Sequence, residues 1–178
     1  MFRKGFSQRT RLVAGILGAS ALAAMGPVTA SAASAQDLAA QILANPRITL
    51  ATVHVDPRGA GDGADARSNI VDTSHGLPAK RSHYGNAPGG TVNLSPVMLQ
   101  SMLNHAGSFT FSVSEIAGGS HSPTSRHYAG VAFDTNVING RSIRRQGQSR
   151  DVNAFMNGCR ADGATEVLFE GTNVHCAW

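Results

Sequence analysis

The chain has 178 residues, a formal net charge of +4 and only two cysteines. Four of its 15 basic residues, but none of its 11 acidic residues, precede residue 36, so residues 36–178 have a formal charge near zero. That balance, with no basic run and no aromatic platform, argues against nucleic acid as a partner. Residues 36–178 are enough for one domain with its own core.

The N-terminus has the three-part layout of a secretory signal peptide. Basic residues between positions 3 and 11 precede an uncharged apolar run over 12–25, and small residues follow over 29–35. The run is shorter than the roughly 20 residues that a membrane-spanning helix needs, which disfavours an anchor and stable membrane insertion. We predict a signal peptide over 1–35, cleaved after Ala32 or Ala35, and a secreted protein able to associate with the cell wall.

The first half of the remaining chain predicts two helices and one strand. Residues 37–43 form a short helix that Asn45-Pro46 ends, and residues 48–55 form a β-branched strand. A loop rich in Gly, Asp and Pro covers 56–65, and a second helix covers 64–72. Residues 75–90 contain four Gly and two Pro, which predicts irregular structure.

The second half alternates helices and strands more regularly. Ser95-Pro96 is a typical helix start, and apolar residues at helical spacing continue to about residue 105. Strands are predicted over 109–114, 131–138 and 165–169, a Gly/Ser loop over 118–125 and a helix over 151–159. This order favours an α+β fold, with helices packed on a short antiparallel sheet.

The two cysteines, Cys159 and Cys176, lie in the last twenty residues. An isolated pair in an exported protein usually forms a disulfide, which at this loop length contributes about 3 kcal/mol. Metal ligation by Cys176 is the rival interpretation, because His175 precedes it directly. The disulfide is favoured, since adjacent residues on a strand point to opposite faces.

Chemistry is concentrated in the ten residues 125–134, Ser-Arg-His-Tyr-Ala-Gly-Val-Ala-Phe-Asp. Zinc prefers imidazole nitrogen and carboxylate oxygen, and catalytic zinc sites keep three protein ligands with an open fourth position. His127 in a loop and Asp134 on the strand that follows could converge on one ion. His175, near the end of the chain, is a plausible third ligand.

The segment resembles the S-x-H-x-x-G-x-A-x-D signature of zinc D-Ala-D-Ala carboxypeptidases and Hedgehog-type metallopeptidases, with every fixed position met. The resemblance implies a Hedgehog/DD-peptidase-like fold whose motif-bearing part covers about 95–178. It also implies a zinc site of His127, Asp134 and His175, and hydrolysis of a peptide, with peptidoglycan stem peptides as the usual substrate. We expect a monomer that acts as a carboxypeptidase or an endopeptidase.

The resemblance also implies a general base shortly before the third ligand, and Glu170 is the first candidate and Glu166 the second. The family's usual Arg on the strand before the motif is absent here, and either Arg126 or His121 could substitute for it. We expect His121 to be a solvated or neighbouring residue rather than a ligand, and His54 an ordinary surface or core residue. The alternative function is a secreted binding module that keeps zinc for structure and has lost catalysis.

Overall fold

Helices and strands alternate through the described residues of this computed structural model, which are Met1 and 32–178. The helices are α1 (Ala35–Ala44), α2 (Ala66–Ser74), α3 (Pro96–Ala106), α4 (Ile143–Gln146) and α5 (Arg150–Ala161). The strands are β1 (Ile48–Leu50), β2 (Ala79–Lys80), β3 (Thr91–Val92), β4 (Phe111–Glu115), β5 (Ala132–Ile138), β6 (Arg141–Ser142), β7 (Glu166–Phe169) and β8 (Val174–Ala177). The predicted signal peptide lies outside the described residues, apart from Met1 and its last four positions.

Side-chain caps define where four of these helices begin. Ser34, Asp65, Ser95 and Ser149 each accept a hydrogen bond from the backbone N–H three residues later. Such caps satisfy N–H groups that the first helical turn leaves unpaired. The predicted start at Ser95-Pro96 is confirmed. Of the two cleavage positions that the sequence predicts, only the one after Ala32 would keep the Ser34 cap.

The main sheet has the strand order β1-β4-β5-β8-β7, and β6 adds to β5. All of its pairs are antiparallel except β1 and β4, which run parallel. The α+β class is therefore confirmed, but the sheet is mixed rather than antiparallel throughout. The parallel pair arises because β1 and β4 are joined by a long segment that contains α2, β2, β3 and α3, whereas a short hairpin would impose antiparallel pairing.

Two sequence predictions about local structure are wrong in extent. The strand predicted over 48–55 ends at Leu50, and Val53 and Val55 are exposed. The segment leaves the sheet after Leu50 in spite of its β-branched residues. Its His54 is buried and forms a hydrogen bond with Glu115 instead. Residues 75–90, predicted as irregular, contain β2, which pairs with β3 as a separate small hairpin-like sheet.

The two faces of strand β5 have different surroundings: one packs against the apolar core, and the other carries the candidate site. Phe133 is fully buried and contacts the rings of Phe155 on α5 and of Trp178. Because successive residues of a strand point to opposite faces, Asp134 faces away from this apolar layer. The largest fully buried apolar side chains come from β5 and from helices α1, α2, α3 and α5, and they include Phe133, Phe155, Ile42, Ile70 and Met98. Among the described residues, no helix is both long and apolar enough to cross a membrane.

The predicted disulfide is confirmed. Cys159 on α5 and Cys176 on β8 are bonded, their Cα atoms lie 6.2 Å apart, and both residues are fully buried. The bond fastens the last strand, which carries His175, to the helix behind the sheet. Metal ligation by Cys176 is thereby excluded.

Removal of this bond tests how far it stabilises the domain. We expect the double substitution Cys159→Ala/Cys176→Ala to lower the free energy of unfolding by about 3 kcal/mol, since the bond closes a 17-residue separation. Urea unfolding of the variant and of the wild type measures the difference. The reduced wild type is the control and should lose a similar amount. A loss below about 1 kcal/mol in both would contradict the expectation.

Candidate metal centre

One row of residues across the sheet brings three ionisable side chains together. Glu115 on β4 lies opposite Asp134 on β5, and Asp134 lies opposite His175 on β8. A register shift between Val113 and Glu115 makes this possible. In a regular strand these two residues would share a face, and Val113 is fully buried in the core. The bulge instead aligns Glu115 with Asp134, in keeping with the frequent use of bulges to redirect side chains near functional sites.

His127 reaches this row from a short 3-10 turn, Arg126–Ala129, that leads into β5. Ser125 caps the turn by accepting a hydrogen bond from the His127 N–H, so this motif serine shapes the loop. Gly130 ends the turn with φ +71°, and a Cβ there would lie 2.5 Å from the backbone oxygen of Asn93. The motif glycine is therefore required both by backbone conformation and by close packing.

The three predicted metal ligands meet in a compact triangle. His127 Nε2 lies 3.1 Å from His175 Nδ1 and 3.3 Å from Asp134 Oδ1, and His175 Nδ1 lies 2.9 Å from Asp134 Oδ1. All three residues are buried, with exposed fractions of 1% for His127, 6% for Asp134 and 5% for His175. The structure therefore places the three predicted ligands next to one another.

The backbone fixes which nitrogen of His127 faces the triangle. His127 Nδ1 donates a hydrogen bond to the carbonyl oxygen of Ile116 at 2.6 Å. Because a carbonyl oxygen only accepts, Nδ1 carries the proton, and in the neutral ring Nε2 keeps its lone pair. That lone pair points towards Asp134 and His175. Such outer hydrogen bonds are typical of imidazoles that bind metals.

Electrostatics favour an ionised carboxylate at the centre of the triangle. Burial alone would raise the pKa of Asp134, but the adjacent His127 and His175 rings outweigh it and hold that pKa well below its usual value. Burial likewise opposes protonation of His127, yet the Asp134 carboxylate leaves the pKa of His127 raised. A cation is therefore favoured at this point, whether it is a proton or a metal ion.

His121 lies beside the triangle as a neighbour of the site, which is one of the two positions that the sequence allowed for it. Donor atoms of His121, His127 and Asp134 all lie within 4.8 Å of one another, which is close enough to hold a metal ion. The His121 ring stacks on His127, with centroids 4.0 Å apart and planes inclined by 12°. His121 Nε2 donates to the Gly118 carbonyl, and burial with His127 nearby lowers the pKa of His121 to about 4, so the ring is neutral.

The two candidate bases occupy different environments. Glu166 Oε1 lies 3.2 Å from His175 Nε2, the ring nitrogen that faces away from the triangle, and its Oε2 lies 3.7 Å from Arg126 Nε. Glu170 is exposed just beyond β7, and its Oε2 accepts a hydrogen bond from Asn173. Both acids line a cavity of about 510 Å³ together with His127, Asp134 and His175.

A second cluster of charge, which the sequence did not reveal, borders the triangle. His54 Nδ1 lies 2.9 Å from Glu115 Oε2, and His54 Nε2 lies 2.9 Å from Asp62 Oδ1. The hydrogen bond to Glu115, helped by Asp62, outweighs burial and raises the pKa of His54 to about 9. Ser82 Oγ donates to Asp62 and accepts from the Gly119 N–H.

This buried cluster holds the segment from Glu115 to Gly119 at both ends. His54 secures Glu115, and Ser82 secures Gly119. The carbonyls between them, of Ile116 and Gly118, orient the rings of His127 and His121. The His54 cluster therefore positions the groups that orient the candidate metal ligands.

A cleft of about 750 Å³ opens on the other side of Asp134. Val55, Tyr84, Glu115, Asn136 and Arg144 contribute to its walls. His121, Asp134 and Glu170 line this cleft and also the smaller cavity, so the two spaces meet at the candidate metal centre.

No family model, no curated protein and no solved structure matches the chain. The resemblance to zinc D-Ala-D-Ala carboxypeptidases and Hedgehog-type metallopeptidases therefore rests on the 125–134 motif and on His175. The compact triangle of side chains is an independent structural observation, because the motif does not specify where residue 175 lies.

Sequence reasoning missed His54, Asp62 and the role of Glu115. No spacing signal links residues 54, 62 and 115, and the prediction for His54 covered only an ordinary surface or core position. The sequence placed His54 in a predicted β-branched strand. Only the structure shows that Val53 and Val55, on either side of His54, are exposed. Neither the β-branched pattern nor residue type predicts an ion pair across 61 positions.

The role of Gly130 can be separated from ordinary glycine strain. We expect Gly140→Ala to cost about 1 kcal/mol, because its φ is +73° but nothing lies within 4 Å of the added Cβ. Gly130→Ala should cost at least about 2 kcal/mol more, since the Asn93 backbone must also move. Urea unfolding measures both. Equal losses would show that close packing at Gly130 is unimportant.

The His54 cluster predicts a stability that depends on pH. A raised pKa means that the contribution is complete below about pH 6.5 and is lost as the pH rises through about 9. At pH 7 it should be on the order of 2 kcal/mol. Urea unfolding between pH 6 and 9.5 should show this loss in the wild type. His54→Gln should be less stable at pH 6 and should lose less stability as the pH rises, with the remaining loss due to the raised pKa of His127. Parallel profiles for the two proteins would refute the assignment.

Proposed function

We propose that the chain is a secreted zinc peptidase that hydrolyses peptidoglycan stem peptides, with His127, Asp134 and His175 as the zinc ligands. The observation that carries the proposal is the buried triangle of His127 Nε2, Asp134 Oδ1 and His175 Nδ1, with sides of 2.9 to 3.3 Å. The choice of stem peptides as the substrate rests on the family resemblance alone.

The triangle fits zinc in donor type and in size. Two imidazole nitrogens and one carboxylate oxygen form a typical donor set for catalytic zinc. Bonds of 2.0 to 2.2 Å in a tetrahedral arrangement require donor separations of about 3.3 to 3.5 Å. The separations in the triangle are only a few tenths of an ångström shorter, so small outward shifts of the side chains would accommodate the ion.

His175 is favoured over His121 as the third ligand because of ring orientation. An imidazole lone pair lies in the ring plane, and the planes of His121 and His127 are nearly parallel at a centroid separation of 4.0 Å. An ion in the plane of His127 would therefore lie roughly 4 Å from that of His121, about twice a Zn–N bond. The His175 ring is inclined by 61° to His127, which allows both lone pairs to converge.

Zinc at this site would lower the pKa of a water molecule towards about 7 and polarise a substrate carbonyl. The chain's own residues supply orientation and proton transfer. The Ile116 carbonyl holds His127 with Nε2 inward, and Glu166 Oε1 lies at ion-pair distance, 3.2 Å, from the outer nitrogen of His175 without a hydrogen bond to it. The cleft at Asp134 admits the peptide, and its tail can extend past Val55 and Asn136.

Glu170 is the better candidate for the general base. Glu166 lies between Arg126 and the outer nitrogen of His175. Its carboxylate is therefore directed at the outer side of a proposed ligand and not at the centre of the triangle. Glu170 lines both spaces that meet at the centre, and only its Oε2 is engaged, by Asn173. Its free Oε1 would take a proton from the attacking water and pass it to the leaving amine.

Metal content tests the ligand assignment directly. The purified secreted chain should contain one zinc ion per molecule, and His127→Ala, Asp134→Asn and His175→Ala should each lose it. His75→Ala is the matched control, because His75 is an exposed helix cap outside the site. Full zinc content in all three ligand variants would refute the assignment. Retention in His175→Ala with loss in His121→Ala would place the third ligand at His121.

Paired acid variants test the catalytic assignment. We expect Glu170→Gln to keep zinc and to lower muropeptide cleavage by about 10² to 10⁴-fold. Glu166→Gln should weaken zinc binding by about 10-fold, because it removes the partner of His175, and should have the smaller effect on cleavage at saturating zinc. Mass spectrometry of the products also identifies the bond that is cut. The reverse order of effects would assign the base to Glu166.

A secreted zinc-containing binding module is the alternative function, and the same experiments separate it from a peptidase. Stoichiometric zinc with no cleavage of any wall peptide by the wild type would favour the module. In that case Glu170→Gln would change neither metal content nor any measured property of the site.

A further inference from the structure

Four arginines lie within ten consecutive residues of the chain. Arg141 is on β6, Arg144 and Arg145 are on α4, and Arg150 is the first residue of α5. All four are exposed, and no acidic residue occurs between Asp134 and Asp151. We call these four residues the arginine face.

The guanidinium groups of the arginine face have no hydrogen-bond or ion-pair partner among the described residues. Most other arginines of the described chain are engaged. Arg58 pairs with Asp56, Arg126 with Glu166 and the Trp178 carbonyl, and Arg81 with the Tyr128 carbonyl. Most of the unpaired positive charge among the described residues is therefore concentrated in the segment 141–150, although residues 36–178 are formally close to neutral.

Stability does not explain this concentration. Like charges close together repel one another, and a cation at a helix N-terminus is opposed by the helix dipole. Arg150 occupies that unfavourable position on α5, a 12-residue helix. Asp151 offsets part of the cost, but its Oδ2 accepts a hydrogen bond from Asn139. A bound anion would remove both penalties.

We propose that the arginine face binds a linear extracellular polymer of phosphodiester groups. Guanidinium groups match phosphate oxygens with two parallel hydrogen bonds, and several in succession suit a chain of repeated charges. Residues 139–150 include no aromatic side chain on which nucleic-acid bases could stack. None of the exposed large apolar residues of the described chain lies within residues 139–150, although Val55 lines the same cleft as Arg144, so the face itself supplies no apolar anchor for a membrane.

The position of the face gives this binding a consequence for the cleft. Ser142 and Arg144 line the 750 Å³ cleft that meets the candidate metal centre. A polymer bound along the arginine face would therefore run beside the cleft entrance and hold the domain next to the material to which the polymer is attached. The proposal does not depend on catalysis, because it follows from surface charge alone.

The test compares two variants of equal net charge. Arg141→Gln/Arg145→Gln/Arg150→Gln removes three cations of the face and keeps Arg144, which lines the cleft. Arg67→Gln/Lys80→Gln/Arg160→Gln removes three exposed cations elsewhere. Binding of a fluorescent poly(glycerol phosphate) oligomer is measured by anisotropy at 50 mM salt. We expect the first variant to bind at least 10-fold more weakly than the wild type and the second to remain within about 2-fold.

Salt dependence gives a second measure that needs no variant. The logarithm of the wild-type affinity should fall linearly with the logarithm of salt concentration, with a slope that reflects about three contacts, and the first variant should show a clearly smaller slope. Equal weakening of both variants, or no binding by the wild type at 50 mM salt, would overturn the proposal. Tighter binding to polyglutamate of equal length or to anionic phospholipid vesicles would overturn its phosphodiester part.

Soluble-peptide cleavage and zinc content, measured on the same variants, separate this proposal from the proposed function. Both should be unchanged in the Arg141/Arg145/Arg150 variant, because these residues lie outside the centre. A failure of polymer binding with cleavage intact overturns only the surface assignment. Polymer binding without cleavage by the wild type leaves the arginine face established and refutes the peptidase.

Discussion

The site depends on two carboxylates that the sheet register places side by side. Glu115 and Asp134 lie opposite each other on β4 and β5, and both are buried. Buried like charges at neighbouring positions repel strongly, so each needs its own cation. His54 supplies it for Glu115, and the rings of His127 and His175 surround Asp134. Much of the surrounding loop structure follows from this need for two separate cationic partners.

The two charged centres are coupled through the backbone between them. The His54 cluster secures Glu115 and, through Asp62 and Ser82, the Gly119 N–H. The Ile116 carbonyl within that segment orients His127. A buried histidine more than 70 residues from His127 in sequence thus supports the geometry of a candidate ligand. Residues of this kind are conventionally assigned to stability, although here stability and metal geometry share the same contacts.

The proposed peptidase activity and the proposed polymer binding would use two surfaces of different chemistry. The cavity at the centre is lined by carboxylates and imidazoles, whereas the arginine face carries unpaired positive charge at the cleft's edge. Catalysis and attachment would then use different residues and different physics: short-range metal and proton chemistry at the centre, and long-range, salt-dependent attraction outside it. Substitutions could then change polymer binding without changing catalysis, and the reverse.

Local patterns in the sequence determined much of this protein. Capping at Ser95, the helical spacing that follows it, the Cys159–Cys176 bond and the triad of His127, Asp134 and His175 were all predicted. Helix starts depend on neighbouring residues, and the motif contains two of the candidate ligands within eight positions. Disulfide pairing was straightforward because only two cysteines exist.

Only the tertiary structure decided the parts that depend on register and on distant partners. The bulge before Glu115 aligns this residue with Asp134, and β1 pairs with β4 in parallel. His54 lies outside the strand in which it was predicted and forms an ion pair with a residue 61 positions away. The placement of Glu166 against His175 and of Glu170 at the cavity likewise followed from how β7 pairs with β8. A sequence specifies which side chains can interact, but a shift of one residue in strand pairing decides which of them face each other.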